Sequence, residues 1–145
     1  MQPIQGDSMK LIQFKILNTA IERTLNNELA ELGLTYTQAT VIGFLKQNAN
    51  KEICQRDIEY NLGLTHPTVS SILSRMEESK LLTTAPQQFD HRYKKIVLTE
   101  KALEVSSRVN EKIEKITNKM TVGITSEQKE MLSEILSKLI ANINS

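Results

Sequence analysis

Between Met9 and Leu32 the apolar residues Ile12, Ile16, Leu17, Ile21, Leu25, Leu29 and Leu32 recur mostly at intervals of three and four, without an internal glycine or proline. That spacing predicts a long amphipathic helix ending near Gly33. Thr35 and Gln38 form a capping-box pair, and Val41, Ile42 and Leu45 carry a second helix to about Asn48, with Asn48, Ala49 and Asn50 as the turn out. Ile53 suits a very short strand. Gln55 to Leu62 then reads as a short third helix with Ile58 and Leu62 facing inward, closed by Gly63 as a left-handed cap. The corner Gly63, Leu64, Thr65 delivers Thr65 as N-cap of a fourth helix that has Pro67 in its first turn. In that helix Val69, Ile72, Leu73 and Met76 fall at i, i+3, i+4 and i+7 and make one buried stripe.

From Leu81 the period changes. Leu81 to Ala85 is apolar and threonine-rich, Pro86 to His91 is turn-like, and Lys95 to Leu98 is apolar and β-branched, which predicts a two-stranded hairpin. Thr99 caps a fifth helix in which Ala102, Ser106, Val109, Ile113, Ile116 and Met120 step by four and three like a coiled-coil seam. Gly123 ends it. Thr125 with Gln128 repeats the capping box, and Leu132, Leu136, Leu139 and Ile143 continue the rhythm in a sixth helix. The fold predicted is mainly α: a winged helix-turn-helix of six helices with a small β-hairpin wing. The single 145-residue domain would hold a winged lobe at 34–99 and a helical dimerisation region built from 1–33 and 100–145.

Composition narrows the class. Apolar residues make up 39%, charged residues 24% and aromatics 4% of the chain, with no Trp, as in an ordinary helix-rich globular protein. No apolar run approaches the ~20 residues that span a bilayer, and the N-terminus lacks the regions of a signal peptide, so a cytoplasmic protein without a membrane partner is expected. The lone Cys54 has no partner for an internal disulfide and no neighbouring thiol for zinc. No phosphate loop, nucleophile elbow or metal-spaced His or Cys set is present, and the only histidines are His66 and His91; neither an enzyme nor a metal or other cofactor is expected. The net charge of +1 argues against a simple nucleic-acid binder. Arg92, Lys94, Lys95 and Lys101 nevertheless gather around the hairpin, against Asp90 and Glu100.

The outward side of the fourth helix carries the candidate chemistry. Thr65, His66, Thr68, Ser70, Ser71, Ser74 and Arg75 are short hydroxyls with one imidazole and one guanidinium, free of acids until Glu77 and Glu78. Such a helix can approach base edges closely: Ser and Thr donate or accept, a threonine methyl meets a thymine methyl, and Arg bridges guanine O6 and N7. For an isolated helix the same composition describes a solvated face; a tight corner before it and a basic hairpin after it are what groove docking needs. At the hairpin tip Arg92 would enter a minor groove and Lys94 and Lys95 would meet phosphates. Asp90 either accepts a hydrogen bond from Arg92 or a hairpin amide and fixes the tip, or is only a turn-former; His91 reads as a turn residue.

Asp90-His91-Arg92 followed by Leu98-Thr99 resembles the D-x-R-x(5)-L-T wing signature of MarR-type regulators. Leu34-Thr35-x-x-Gln38, Gln55-x-Asp57-Ile58 and Leu64-Thr65-His66-Pro67-Thr68-Val69 extend the likeness over most of the chain. The resemblance implies a homodimer held by the first, fifth and sixth helices, repression as the commonest activity, and release from DNA by small phenolic or other anionic effectors. Two positions depart from it, Lys80 and Ala102, where the family often has glycine; Lys80 is expected to alter the ending of the fourth helix, because a side chain resists positive φ. One branch of the family senses peroxides through a cysteine near its N-terminal helix, and Cys54, before the third helix, does not match that position.

The terminal helices carry more apolar seam than a lobe of about 70 residues would cover, so Ile12, Ile16, Val109, Ile113, Ile116, Met120, Leu132, Leu136, Leu139 and Ile143 are assigned to a dimer interface. Two-fold symmetry would place the recognition helices about 34 Å apart on a pseudo-palindromic site in double-stranded DNA. The alternatives are a winged helix that binds protein rather than DNA, and a thiol-based redox regulator acting through Cys54.

Overall fold

The structure, a computed structural model, describes residues 10–145. The expected start of the first helix at Met9 lies outside the described residues. The elements are α1 (Leu11–Leu29), a 3-10 turn (Ala30–Leu32), α2 (Tyr36–Gln47), α3 (Gln55–Leu62), α4 (His66–Glu78), β1 (Leu82–Pro86), β2 (Lys94–Leu98), α5 (Glu100–Met120) and α6 (Ser126–Ile143). Six helices and one antiparallel hairpin are the elements predicted. The chain groups into two compact units, Met1–Ile113 and Glu114–Ser145, with the border inside α5.

In the first unit, local signals set the helix ends. Gly33 takes the left-handed φ of 72° that closes the 3-10 turn, and Thr35 and Gln38 exchange the two bonds of a capping box at 3.1 and 3.2 Å. Asn26 of α1 accepts from the Tyr36 amide at 2.7 Å, so a side chain of one helix satisfies an orphan donor of the next. Gly63 closes α3 at φ 65°, as its position in the sequence predicted.

The C-terminus of α4 departs from expectation in an instructive way. Lys80 adopts φ 60° instead of forcing a different ending. Its amide donates to the Glu77 carbonyl at 3.0 Å and the Leu81 amide donates to the Met76 carbonyl at 2.9 Å, which completes the motif glycine usually supplies. Burial of Met76, Leu81 and Leu82 on either side over-determines the turn, and the left-handed conformation costs roughly 1–2 kcal/mol for a residue with a Cβ.

The lobe core is made by Val41, Ile42, Leu45, Ile58, Val69, Leu73, Met76, Leu81, Leu82 and Ile96, all buried. α2 packs on α1, α4 and β2, and α3 on α4 and β2. β1 pairs antiparallel with β2 in the register Leu82↔Leu98, Thr84↔Ile96 and Pro86↔Lys94, so that Leu82 and Ile96 face inward while Thr83 and Val97 face out. Ile53 forms no strand of its own: its carbonyl takes a single bond, from the Ile96 amide at 2.7 Å, because only one residue there runs beside β2 before α3 begins. Thr99 accepts from the Ala102 amide and donates to the Lys80 carbonyl, capping α5 and tying it to the end of α4.

The second unit contains the end of α5, a turn closed by Gly123 at φ 81°, and α6. Thr125 and Gln128 make the predicted capping box, at 2.9 and 3.1 Å. Among the described residues no helix is long and apolar enough to cross a membrane.

Candidate nucleic-acid interface

α4 turns its aliphatic stripe inward and its hydroxyl side outward. Val69, Leu73 and Met76 are buried and Ile72 half-buried, whereas Thr68, Ser71, Ser74 and Arg75 are exposed and Ser70 is half-buried. Thr68, Ser71 and Arg75 follow one another at three and four residues and so share one stripe of the surface. No acid interrupts it before Glu77. Thr65 occupies the N-cap position with extended backbone, but its hydroxyl donates to the Thr68 hydroxyl at 2.9 Å rather than capping an amide. His66, the first helical residue, is exposed and its ring is held by α3.

The wing tip is a small closed structure. The Gln87 amide donates to the Tyr93 carbonyl at 3.0 Å and the Tyr93 amide to the Asp90 carbonyl at 3.1 Å. Asp90 Oδ1 accepts from the Arg92 amide at 3.1 Å and from Nε at 3.0 Å, and Oδ2 accepts from Nη2 at 2.9 Å. Of the two readings of Asp90, the structure therefore selects the one in which it fixes the tip. The Arg92 side-chain bond, then its backbone bond, holds the Asp90 carboxyl below its ordinary pKa, and Asp90 and then Tyr93 push Arg92 upward. The guanidinium lies 5.9 Å from the Tyr93 ring centroid. Two of the five N–H donors of Arg92 are engaged by Asp90 and three point away from it, on a side chain that is 84% exposed.

The basic residues around the wing differ in what they are free to do. Lys94 is exposed with no ion pair among the described residues, while Lys95 is half-buried with Nζ 3.7 Å from Glu52 Oε1. Lys101 donates to the Ser79 carbonyl at 2.8 Å and so secures the end of α4. Glu52 is a residue the sequence pattern did not single out. Its carboxylate accepts from the Gln88 amide with both oxygens, at 3.0 and 3.1 Å, and its carbonyl accepts from Gln87, so the loop before α3 braces the hairpin. An acid in a polar loop gives no local signal of a partner 36 residues away.

The residues assigned to a dimer interface divide. Ile12, Ile16, Met120, Leu132, Leu136 and Ile143 are exposed apolar side chains, and Ile113 and Leu139 are half-buried. Val109 and Ile116 depart from the expected seam, because both are buried within the single chain. Ala102, Ser106 and Val109 lie on the part of α5 that closes over α2, where Ser106 accepts from Lys46 Nζ at 3.0 Å; the four-three period there reports intrachain packing.

A MarR family model matches residues 32–92 of the chain. The crystal structure of the transcription regulator MarR from Oenococcus oeni PSU-1 is 31% identical, with a TM-score of 0.75 over 90% of this chain and 97% of that one. A MepR–DNA complex from S. aureus aligns with a TM-score of 0.84 at 20% identity, over 95% of this chain and 99% of that one. A MarR protein from Peptoclostridium difficile gives 0.84 at 21% identity, over 99% and 92%. The last two likenesses establish the winged-helix fold.

Proposed function

The chain belongs to the MarR family of transcription regulators, and from that premise we propose that it is a cytoplasmic, sequence-specific double-stranded DNA-binding repressor acting as a homodimer on a pseudo-palindromic operator. The observation that carries this reading is the exposed, acid-free stripe of Thr68, Ser71 and Arg75 on α4, accompanied by a wing whose Arg92 is held outward by Asp90. The stripe offers hydroxyls and a guanidinium to a major groove, with Thr65, His66, Ser70 and Ser74 at its margins, and Arg92 and Lys94 offer positive charge to the flanking backbone and minor groove. Lys95 contributes less, because Glu52 offsets its charge. Binding of a MepR protein of the same fold to DNA supports the reading.

Repression follows from occupancy: a dimer covering a promoter excludes polymerase. Ligand response would act on the wing. A groove of about 460 Å³ runs between the end of α2 and β2, lined by apolar residues including Leu45, Ile53, Ile96 and Leu103 and by the charged residues Lys46, Lys51, Glu52 and Lys95. A small aromatic effector suits the apolar walls, with Lys51 the ammonium open to an anionic group, since Lys95 faces Glu52 and Lys46 donates to Ser106, and its entry would press on the strand that carries the wing.

Selection of bound fragments from random duplex DNA tests the proposal. A two-fold symmetric consensus, with affinity falling steeply as salt rises, is the expected result. Recovery of no consensus, with salt-insensitive or absent binding, removes DNA from the account and leaves a protein-binding winged helix.

A further inference from the structure

Gln55 and Glu59 lie one turn apart on α3, and both reach across the Gly63 corner to His66. Glu59 Oε2 is 3.0 Å from His66 Nδ1, while the Gln55 amide nitrogen is 3.1 Å from the same ring nitrogen and 3.4 Å from the His66 carbonyl oxygen. Nδ1 cannot serve both neighbours at once. A carboxylate oxygen at 3.0 Å needs a proton between it and the ring, since two lone pairs facing each other repel. Nδ1 therefore donates to Glu59, and the Gln55 amide donates to the His66 carbonyl. The opposite ring nitrogen, Nε2, has no partner among the described residues. The His66 side chain is 71% exposed and that of Glu59 only 21%, so a sheltered acid holds an open imidazole.

The second nitrogen of a histidine takes its role from the bond the first one makes. With a single ring proton, placed on Nδ1 by Glu59, Nε2 is left as an acceptor at the first residue of α4, where recognition helices meet base edges. We propose that Glu59 is a positioning residue for sequence reading: it fixes the tautomer and orientation of His66, so that Nε2 accepts a hydrogen bond from the exocyclic amino group of an adenine or a cytosine in the major groove. The inference rests on the DNA-binding reading and assigns one base position to an α3–α4 pair. It also gives a reason for an acid close to a surface that must approach phosphates.

Two variants at one position separate positioning from simple charge. Glu59→Gln keeps a carbonyl oxygen that accepts from Nδ1–H, whereas Glu59→Ala keeps nothing. Both remove a negative charge, and general electrostatics would make both bind DNA more tightly, and equally so.

Binding is measured by fluorescence anisotropy on the duplex selected with the wild-type protein and on the set of its single base-pair replacements. Glu59→Ala is expected to bind the selected duplex about 10-fold more weakly and to lose preference at one A or C position, while Glu59→Gln keeps that preference and binds at least as tightly as wild type. His66→Ala loses preference at that same position, and the Glu59→Ala/His66→Ala double variant binds no more weakly than His66→Ala alone. Equal effects of Ala and Gln at position 59, tighter binding by Glu59→Ala, additive losses in the double variant, or losses spread evenly over all duplexes would each overturn the assignment while leaving DNA binding intact. A wild-type protein that selects no duplex overturns the regulator reading and this inference with it.

Discussion

Arg92 is restrained in a way that bears on the groove contact proposed for it. Asp90 binds its backbone amide and one edge of its guanidinium, which leaves three donors directed outward from a fixed tip. Arg92→Ala should therefore weaken duplex binding most where the flanks are A·T-rich, since narrow minor grooves concentrate negative potential. Anisotropy titrations on A·T-rich and G·C-rich flanks measure this, and equal affinity on both would take the wing out of groove recognition. The pair also fixes a pH response. Because the folded-state pKa of Asp90 is lowered, the tip is pinned throughout the range above the ordinary aspartate value and is released only as pH falls through the lowered one. The Arg92 amide resonance should then hold steady from about pH 8 to pH 5 and move only in stronger acid; a shift centred near neutrality would contradict the assignment. Lys80 poses the opposite case, a residue held against its preference at φ 60°. Lys80→Gly should raise unfolding stability by about 1 kcal/mol, the left-handed penalty less the added chain entropy of glycine. Denaturant unfolding reads this directly, and a destabilised variant would mean that the lysine stem contributes packing that outweighs its strain.

Helix ends and corners were legible in the sequence wherever their causes are local. Thr35 with Gln38, Thr125 with Gln128, and Gly63 after Leu62 each act within a few residues, so the pattern that announces the element also terminates it. The buried stripe of α4 was legible for the same reason, because a 3.6-residue period leaves little choice of face once one side is aliphatic. What could not be read depends on residues distant in the chain. Val109 and Ile116 share a period with the exposed Met120, and only the folded chain separates packing residues from open surface. The bracing of the wing by Glu52 is of this kind: its carboxylate accepts from the Gln88 amide and lies near Lys95. If that acid sets the hairpin's position, Glu52→Ala should leave β1–β2 pairing intact while speeding amide exchange at Gln88 and lowering DNA affinity, even though a negative charge has been removed. Tighter binding with unchanged exchange would instead make Glu52 a mere electrostatic neighbour of Lys95.

For the molecule as a whole, the decisive quantity is how much apolar surface each unit leaves in water. In the first unit α1 presents Leu11, Ile12, Phe14, Ile16 and Leu17, all exposed. In the second, α6 presents Met131, Leu132, Ile135, Leu136, Ile140 and Ile143. Isolated exposed apolar residues are ordinary, but a helix that carries them on successive turns leaves more apolar surface in water than a monomer usually tolerates. A second copy of the chain is the occupant proposed, because a symmetric regulator needs two reading heads and a two-fold axis supplies both the cover and the second head. Ile16→Glu places a charge in the α1 patch without touching the lobe core or any residue of the α4 stripe. Sedimentation should find the wild-type protein dimeric at micromolar concentration and this variant largely monomeric, with the circular dichroism of the lobe preserved. Its affinity for a full two-fold site should fall roughly 10²- to 10⁴-fold, toward the affinity for a half-site, because the second contact would no longer be intramolecular. A variant that stays dimeric with full affinity would place α1 outside the interface, and a monomeric variant with full affinity would show that one lobe alone carries recognition.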